Sequence, residues 1–435
     1  MHINSGALIF LVAVSALAAD TRELQDRRQR ASTAFGDGVL IIHAKPVWDG
    51  WPDGFRQDAA FYYFSGLENT VGAILAIDGR SHESWLFLPT RPPKGSLEGS
   101  PDSAAVKHAG FEHVADWAEL ARLLEKNKTA PATIYYQADS YALPGLPSNI
   151  AGDPPDAPLW ALAIARKWPA FRLKEVGVEV SALMDVQSPT ELLDLRAAAK
   201  ATVQAVMAGM RAIRPGVSQR SVEAAVEGAC WKEGAHGVSF WPWAMAGKNG
   251  VFPTPFTSGA RYDNLNAVMN AGDLVRLDVG CEWNHYGGDL GRTVPVSGRY
   301  STDQREIWNI FVSAYHAGAK SLREGATQDQ VFEVWSAELL RQRQSAGSSI
   351  AKQAIEEWSK REKVPYWAVH TTNLGPGRVG GSLRAGTTID FEPIASIGGQ
   401  GYYLEDMYLI HKEGAELLTP GVPYSADEME AAIRR

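Results

Sequence analysis

The chain has 435 residues, 45% hydrophobic and 21% charged, an ordinary globular balance with length enough for more than one cored domain. A formal charge of -8 without a long basic run excludes a nucleic-acid-binding surface as its organising feature. Fourteen Trp point to aromatic-lined pockets or large cores, and two Cys are too few for a disulfide framework to be read.

In chain order, Ala7 to Ala19 is almost all apolar and ends in Ala16-Leu17-Ala18, the small-residue pattern of a cleavage site. It is too short to span a bilayer as a helix. Met1 to Gly6 lacks the Lys or Arg that such a leader usually carries. Residues 1–19 are read as a signal peptide, which makes the mature protein exported, periplasmic or secreted. No later stretch has the length and apolarity to cross a membrane, so stable insertion is not expected.

From Asp20 to Val180, short β-type runs (Val39 to His43, Ala73 to Ile77, Ser84 to Leu88, Thr133 to Gln137) mix with helical stretches (Asp116 to Lys126, Leu159 to Lys167). That mixture predicts an α/β domain over 20–180, broken by loops at Pro92 to Ser103 and Leu143 to Pro158. Ser188-Pro189-Thr190-Glu191 is a capping box with proline at the first helical position, opening a second unit over 181–435. A helix should follow Pro215-Gly216-Val217-Ser218, and another Ser301-Thr302-Asp303-Gln304. Strand-like runs lie between: Ala267 to Met269, Leu274 to Gly280, Asp289 to Val296, Thr387 to Glu392 and Tyr402 to Ile410. Helices with antiparallel-looking strands make this unit α+β.

Four acids stand out. Asp278, Glu392 and Glu405 interrupt apolar runs, and Asp289 lies in a glycine-flanked turn into another. A carboxylate in such a run is buried, and a buried unpaired charge is very costly. Either the acids are neutral or cations hold them. Four carboxylates on one site call for about two divalent cations, and oxygen-rich ligation suits manganese, with zinc or cobalt as alternatives.

Around these acids the chain resembles a known family. The segment from Leu277-Asp278-Val279-Gly280 to Gly288-Asp289-Leu290-Gly291-Arg292-Thr293 is similar to the first metal motif of the pita-bread metallopeptidases. Phe391-Glu392-Pro393 and Leu404-Glu405-Asp406 resemble the later glutamate motifs. Arg56-Gln57-Asp58-Ala59-Ala60-Phe61-Tyr62-Tyr63-Phe64-Ser65-Gly66 is similar to the signature of the aminopeptidase P N-terminal domain. The resemblance covers nearly the whole mature chain and is greatest to aminopeptidase P. It implies an α/β N-terminal domain followed by an α+β pita-bread (creatinase/aminopeptidase-like) domain. It also implies a two-metal hydrolase on peptide substrates, releasing an N-terminal residue before proline, in a family that often forms homo-oligomers. Asp289 and Glu405 would bridge the cations, Asp278 would bind one and Glu392 the other.

Several positions depart from the family. It supplies a histidine ligand and a catalytic histidine seven residues later; a gap-free comparison puts His370 at the second and Lys363 at the first. His370 is then expected to contact the substrate carbonyl or its oxyanion, unless the loop is rearranged and His370 moves in as the ligand. Lys363 is the candidate cation in place of a metal. Thr254 stands where a substrate-contacting histidine is expected, and Tyr403 where aminopeptidase P has an arginine two residues before its last glutamate. Trp241, Trp243 and Tyr403 are candidate walls of a substrate pocket. His285, in a turn between the aspartates, is set aside as a ligand, and His236 is read as structural. Two further readings stay open: a creatinase-like C–N hydrolase with little or no metal, and a non-catalytic pita-bread protein that binds peptides or proteins.

Overall fold

The computed structural model describes residues 19–45, 56–89, 103–127, 132–138, 157–252, 266–374 and 380–434. The export segment, Thr254 and most of the two expected loops lie outside them. Helix α1 (Thr21–Ala34) is capped by Asp20, whose side chain accepts from the Glu23 amide. Among the described residues, β1 (Gly38–His43), β2 (Ile74–Asp78), β3 (Ser84–Leu88), β4 (His113–Asp116), β5 (Ala132–Tyr136) and β6 (Phe171–Glu175) form one mixed sheet in the order β4-β3-β2-β1-β5-β6. The β1–β5, β3–β4 and β5–β6 pairs are parallel, each bridged by intervening chain that includes a helix. In the segment Arg56 to Gly66, Asp58 caps a short helix α2 (Ala59–Ser65) by accepting from the Phe61 amide, and Gly66 at φ +67° ends it.

The second half opens on α3 (Pro189–Ala212). Its capping box is formed as the sequence predicts: the Glu191 amide donates to Ser188 Oγ at 3.2 Å, and the Ser188 amide donates to Glu191 Oε2 at 2.9 Å. Helix α4 (Gln219–Lys232) follows. Then come β7 (Trp243–Ala246), β8 (Leu274–Val279), β9 (Glu282–Trp283), β10 (Tyr286–Gly287) and β11 (Leu290–Pro295). Helices α5 (Thr302–Ala319), α6 (Gln328–Gln342) and α7 (Ser349–Trp358) separate these from β12 (Tyr366–Thr371), β13 (Thr388–Ile397), β14 (Gln400–His411) and β15 (Gly414–Leu417). The large sheet runs β12-β13-β14-β11-β8-β7, with β15 on β14, and every pairing in it is antiparallel.

One face of this sheet is core. Val275, Leu277 and Val279 of β8, Ile389 and Phe391 of β13, and Leu404 of β14 pack with Met210 of α3, Val226 of α4, and Trp308, Trp335 and Trp358 of α5–α7. Those three tryptophans are fully buried. Successive side chains on a strand point to opposite faces, so residues 276 and 278, 390 and 392, and 403 and 405 must all leave the core on the other side. The run Ala267 to Met269 forms no strand, only a bridge from Val268 to Ser218.

Candidate metal centre

The alternation that gives the sheet its core also gathers the acids. Gly291 on β11 pairs with Asp278 of β8 on one side and with Glu405 of β14 on the other. On the outer strands, Glu392 of β13 pairs with Ala368 of β12, and Asp390 pairs with His370. Ligating atoms of Asp278, Asp289 and Glu405 lie within 4.8 Å of one another; so do those of His370, Glu392 and Glu405, and those of Asp289, His370 and Asp390. Glu405 and Asp390 are sealed from solvent, and Asp278 and Glu392 nearly so.

The gap between strands is shaped by one glycine. A Cβ on Gly291 would come within 1.8 Å of the Tyr403 ring, so no larger residue fits there while Tyr403 lies across it. The Tyr403 hydroxyl donates to Glu405 Oε2. Behind the cluster, Arg292 Nη2 donates to Asp406 Oδ1 at 2.9 Å, and Arg292 Nη1 donates to the Glu405 carbonyl at 2.7 Å. Both members of that pair are fully buried. It ties β11 to β14 at the residues next to Glu405.

The electrostatics are those of crowded acids. Burial, reinforced by Glu392, pushes Asp278 up to about 7; burial, reinforced by Glu405, pushes Glu392 up to about 7. Burial and then Glu405 hold Asp289 and Asp390 well above the carboxylate range, and burial raises Glu405 as well. Burial alone would discharge His370, but the close approach of its Nε2 to the Glu392 and Glu405 carboxylates overcomes it and holds the imidazole pKa well above its usual value. Asp289 Oδ1, Glu405 Oε1 and both Asp390 oxygens are buried with no hydrogen-bond partner among the described residues. Buried acceptors without donors, in an oxygen-rich set with one imidazole, fit a divalent cation.

The structure brings Asp278, Asp289, Glu392, Glu405 and His370 together. His370 is placed differently from the gap-free expectation: Nε2 faces Glu392 Oε2 at 3.5 Å and Glu405 Oε1 at 3.6 Å, the place of a ligand. Lys363 is not brought in; it lies exposed on a short 3-10 turn, Arg361–Lys363, so His370 and not Lys363 stands as the cation beside the glutamates. Tyr403 is wholly buried and bonds Glu405 instead of forming a pocket wall. Trp243 lines a cavity of about 260 Å³ with Phe252, Tyr366 and Ile394, while Trp241 stacks on Trp243 at 5.9 Å and is 45% exposed.

Three features escaped the sequence reading. Asp390 is a fifth carboxylate, and its signal was its spacing of two from Glu392 on one strand. Arg276, two before Asp278, lines the same cavity by the same rule. The two cysteines, which gave no readable framework, form a disulfide from α4 to the end of β8, with Cα atoms 5.5 Å apart. His285 sits at φ +70° in the β9–β10 turn, its ring tilted 33° against that of Tyr62 with centroids 4.2 Å apart, and is paired with Glu68.

The sequence pattern of metallopeptidase family M24 matches residues 194–412, and that of the aminopeptidase P N-terminal domain matches residues 24–135. The chain is 25% identical to the Xaa-Pro aminopeptidase of Escherichia coli K12, over 95% of this chain and 97% of that one. It is also 25% identical to the mitochondrial intermediate cleaving peptidase 55 of Arabidopsis thaliana, over 91% and 79%. Among solved structures, aminopeptidase P from E. coli with the inhibitor Pro-Leu superposes with a TM-score of 0.73 at 23% identity, covering 96% of this chain and 98% of that one. Proline aminopeptidase P II from Yersinia pestis gives 0.73 at 23%, covering 96% and 100%. These likenesses establish the fold: an α/β N-terminal domain and an α+β pita-bread domain.

Proposed function

The chain belongs to metallopeptidase family M24, and from that premise we propose that it is a metal-dependent aminopeptidase that releases an N-terminal residue ahead of proline. The observation that carries this reading is the convergence of Asp278, Asp289, Glu392, Glu405 and His370, with orphaned carboxylate oxygens, at the end of an apolar cavity. The name of the Escherichia coli relative, an Xaa-Pro aminopeptidase, supports the proline specificity.

Two cations, manganese by preference, suit the donor set. Asp278, Asp289 and Glu405 would hold one; His370, Glu392 and Glu405 would hold the other; Asp390 adds a carboxylate to the side of Asp289 and His370. When bound, divalent cations lower the pKa of water and polarise a carbonyl. The chain's own residues do the rest. Tyr403 fixes Glu405 by its hydroxyl and leaves Oε1 free to bind. Glu392 borders the cavity, where its carboxylate can take a proton from the attacking water and return it to the departing nitrogen. Trp243, Phe252, Tyr366 and Ile394 offer flat and aliphatic walls that exclude water and suit a pyrrolidine ring.

Export is proposed on two supports: the apolar segment ending in Ala16-Leu17-Ala18, and the Cys230–Cys281 disulfide, which suits an oxidising compartment. No helix among the described residues is long and apolar enough to cross a membrane.

Manganese-loaded protein offered a panel of Xaa-Pro peptides, with products read by mass spectrometry, tests the activity. Release of the first residue, abolished in Asp289→Asn and by chelation, is expected. Turnover that survives strong chelation would favour the metal-poor C–N hydrolase. Tight peptide binding with no turnover of any amide would leave a binding protein.

A further inference from the structure

Arg276 is the one cavity-lining group that the proposed reaction does not use. It lies two residues before Asp278 on β8, on the same face of the sheet, and is 2% exposed. Its Nε and Nη2 are buried with no hydrogen-bond partner among the described residues. A buried guanidinium with unsatisfied N–H groups is expensive, and its retention needs a partner that arrives. The Cζ atom stands 5.6 Å from the centre of the Tyr403 ring, so the ring's π face helps hold the charge without taking its N–H groups. Across the cavity are Asp278 and Glu392, whose charges Arg276 offsets in the metal-free protein.

Cations at the carboxylates change that balance. Asp278 and Glu392 would then be engaged by metal, which leaves the Arg276 Nε and Nη2 groups to find an acceptor elsewhere. An anionic group of the ligand would supply it. A planar guanidinium matches a carboxylate through two parallel hydrogen bonds, whereas a neutral amide offers a single acceptor and no charge. The position two before Glu405, where the resemblance leads one to expect arginine, is Tyr403. The guanidinium reaches the cavity from β8 instead, over the gap that Gly291 leaves.

We propose that Arg276 forms a carboxylate-binding subsite in the 260 Å³ cavity, so that the enzyme prefers substrates carrying a carboxylate next to the apolar wall. Two sources share that chemistry: the C-terminal carboxylate of an Xaa-Pro dipeptide, and the side chain of an acidic residue. The proposal rests on the aminopeptidase reading for its substrate but not for its binding test.

The binding test uses manganese-loaded protein, with metal content measured in each variant, and calorimetry with N-acetylproline against N-acetylprolinamide. The free acid should bind roughly 10- to 100-fold tighter, the range for hydrogen bonds to a charged group. Arg276→Met should abolish the difference while leaving the amide's affinity within a few-fold. Arg276→Lys, which keeps the charge but not the fork, should retain part of it and decides the matter if the methionine variant does not fold. The second arm compares KM for Ala-Pro, Ala-Pro-amide and Glu-Pro-amide. A lower KM for Ala-Pro than for its amide identifies the C-terminal source; a lower KM for Glu-Pro-amide than for Ala-Pro-amide identifies the side-chain source. Equal binding of acid and amide together with no KM contrast, or a contrast unchanged in both variants, overturns the subsite. If no peptide is cleaved but the acid–amide difference disappears in Arg276→Met, the subsite stands and the aminopeptidase reading falls.

Discussion

His370 Nε2 on β12 stands 3.6 Å from Glu405 Oε1 on β14, reaching across β13 and its Glu392. One imidazole thus joins the two glutamates from the far edge of the sheet, while Asp278 approaches Glu405 from the other side of β11. The site has two halves that share Glu405.

Removal of His370 should therefore cost one half. His370→Ala is expected to keep the Asp278–Asp289–Glu405 group and to bind about one divalent cation instead of about two. Asp289→Asn, which removes a donor both from the Asp278–Asp289–Glu405 group and from the group with His370 and Asp390, should weaken metal binding by more than about 100-fold, because even residues behind a ligand typically cost about 10–100-fold. Equilibrium dialysis with manganese distinguishes the two variants.

The metal-free protein should lose stability as pH rises. Asp278 and Glu392 titrate near 7 when folded, against about 3.9 and 4.3 unfolded, so between those limits the native state binds more protons than the unfolded chain. Stability from these groups is full below about pH 4 and is lost as pH passes through about 7. The raised pKa of His370 acts in the same direction. Thermal denaturation of chelator-treated protein from pH 5 to 8 should show a falling Tm, and added manganese should stabilise more the higher the pH. A metal-free Tm that rises steadily across this range would show that the carboxyls are not crowded.

The Arg292–Asp406 pair should be essential for the fold around the site. Arg292→Met leaves Asp406 buried and uncompensated, although Thr419 and Tyr424 still donate to it. A loss of about 3–5 kcal/mol is expected in urea denaturation, the range for one broken partner of a buried pair. The double substitution Arg292→Met with Asp406→Leu should recover part of the loss.

The disulfide closes a separation of 51 residues and anchors α4 to Cys281, three residues beyond Asp278. Cys230→Ser with Cys281→Ser, or treatment with reductant, should lower stability by about 2–4 kcal/mol. An unchanged denaturation midpoint under reducing conditions would show that the bond is not formed in solution.

Much of the fold was legible because it is local. The Ser188 and Ser301 capping boxes stand where their spacing put them, and the acid-bearing runs at 274–280 and 387–392 became β8 and part of β13. The carboxylates were legible because a charge in an apolar strand has few physical explanations. What failed was long-range. The spacing of seven before His370 points to Lys363, but strand register decides which side chain faces Glu392, and His370, opposite Asp390 on the neighbouring strand, lies 3.5 Å from Glu392 Oε2. Tyr402 and Tyr403 looked alike in sequence, yet alternation sends Tyr402 into the core and Tyr403 beneath the site. Asp390 and Arg276 stand two residues from Glu392 and Asp278 on the same strands, so the strand period alone places them on the site face. The cysteine pairing depends on how α4 packs on the sheet, which spacing does not encode.

The most direct test titrates metal-free wild-type protein with manganese at neutral pH and counts bound ions. The expected result is about two equivalents per chain, with proton release as the raised carboxyls give way to the cations. Absence of any saturable binding, with the protein folded, would contradict the account.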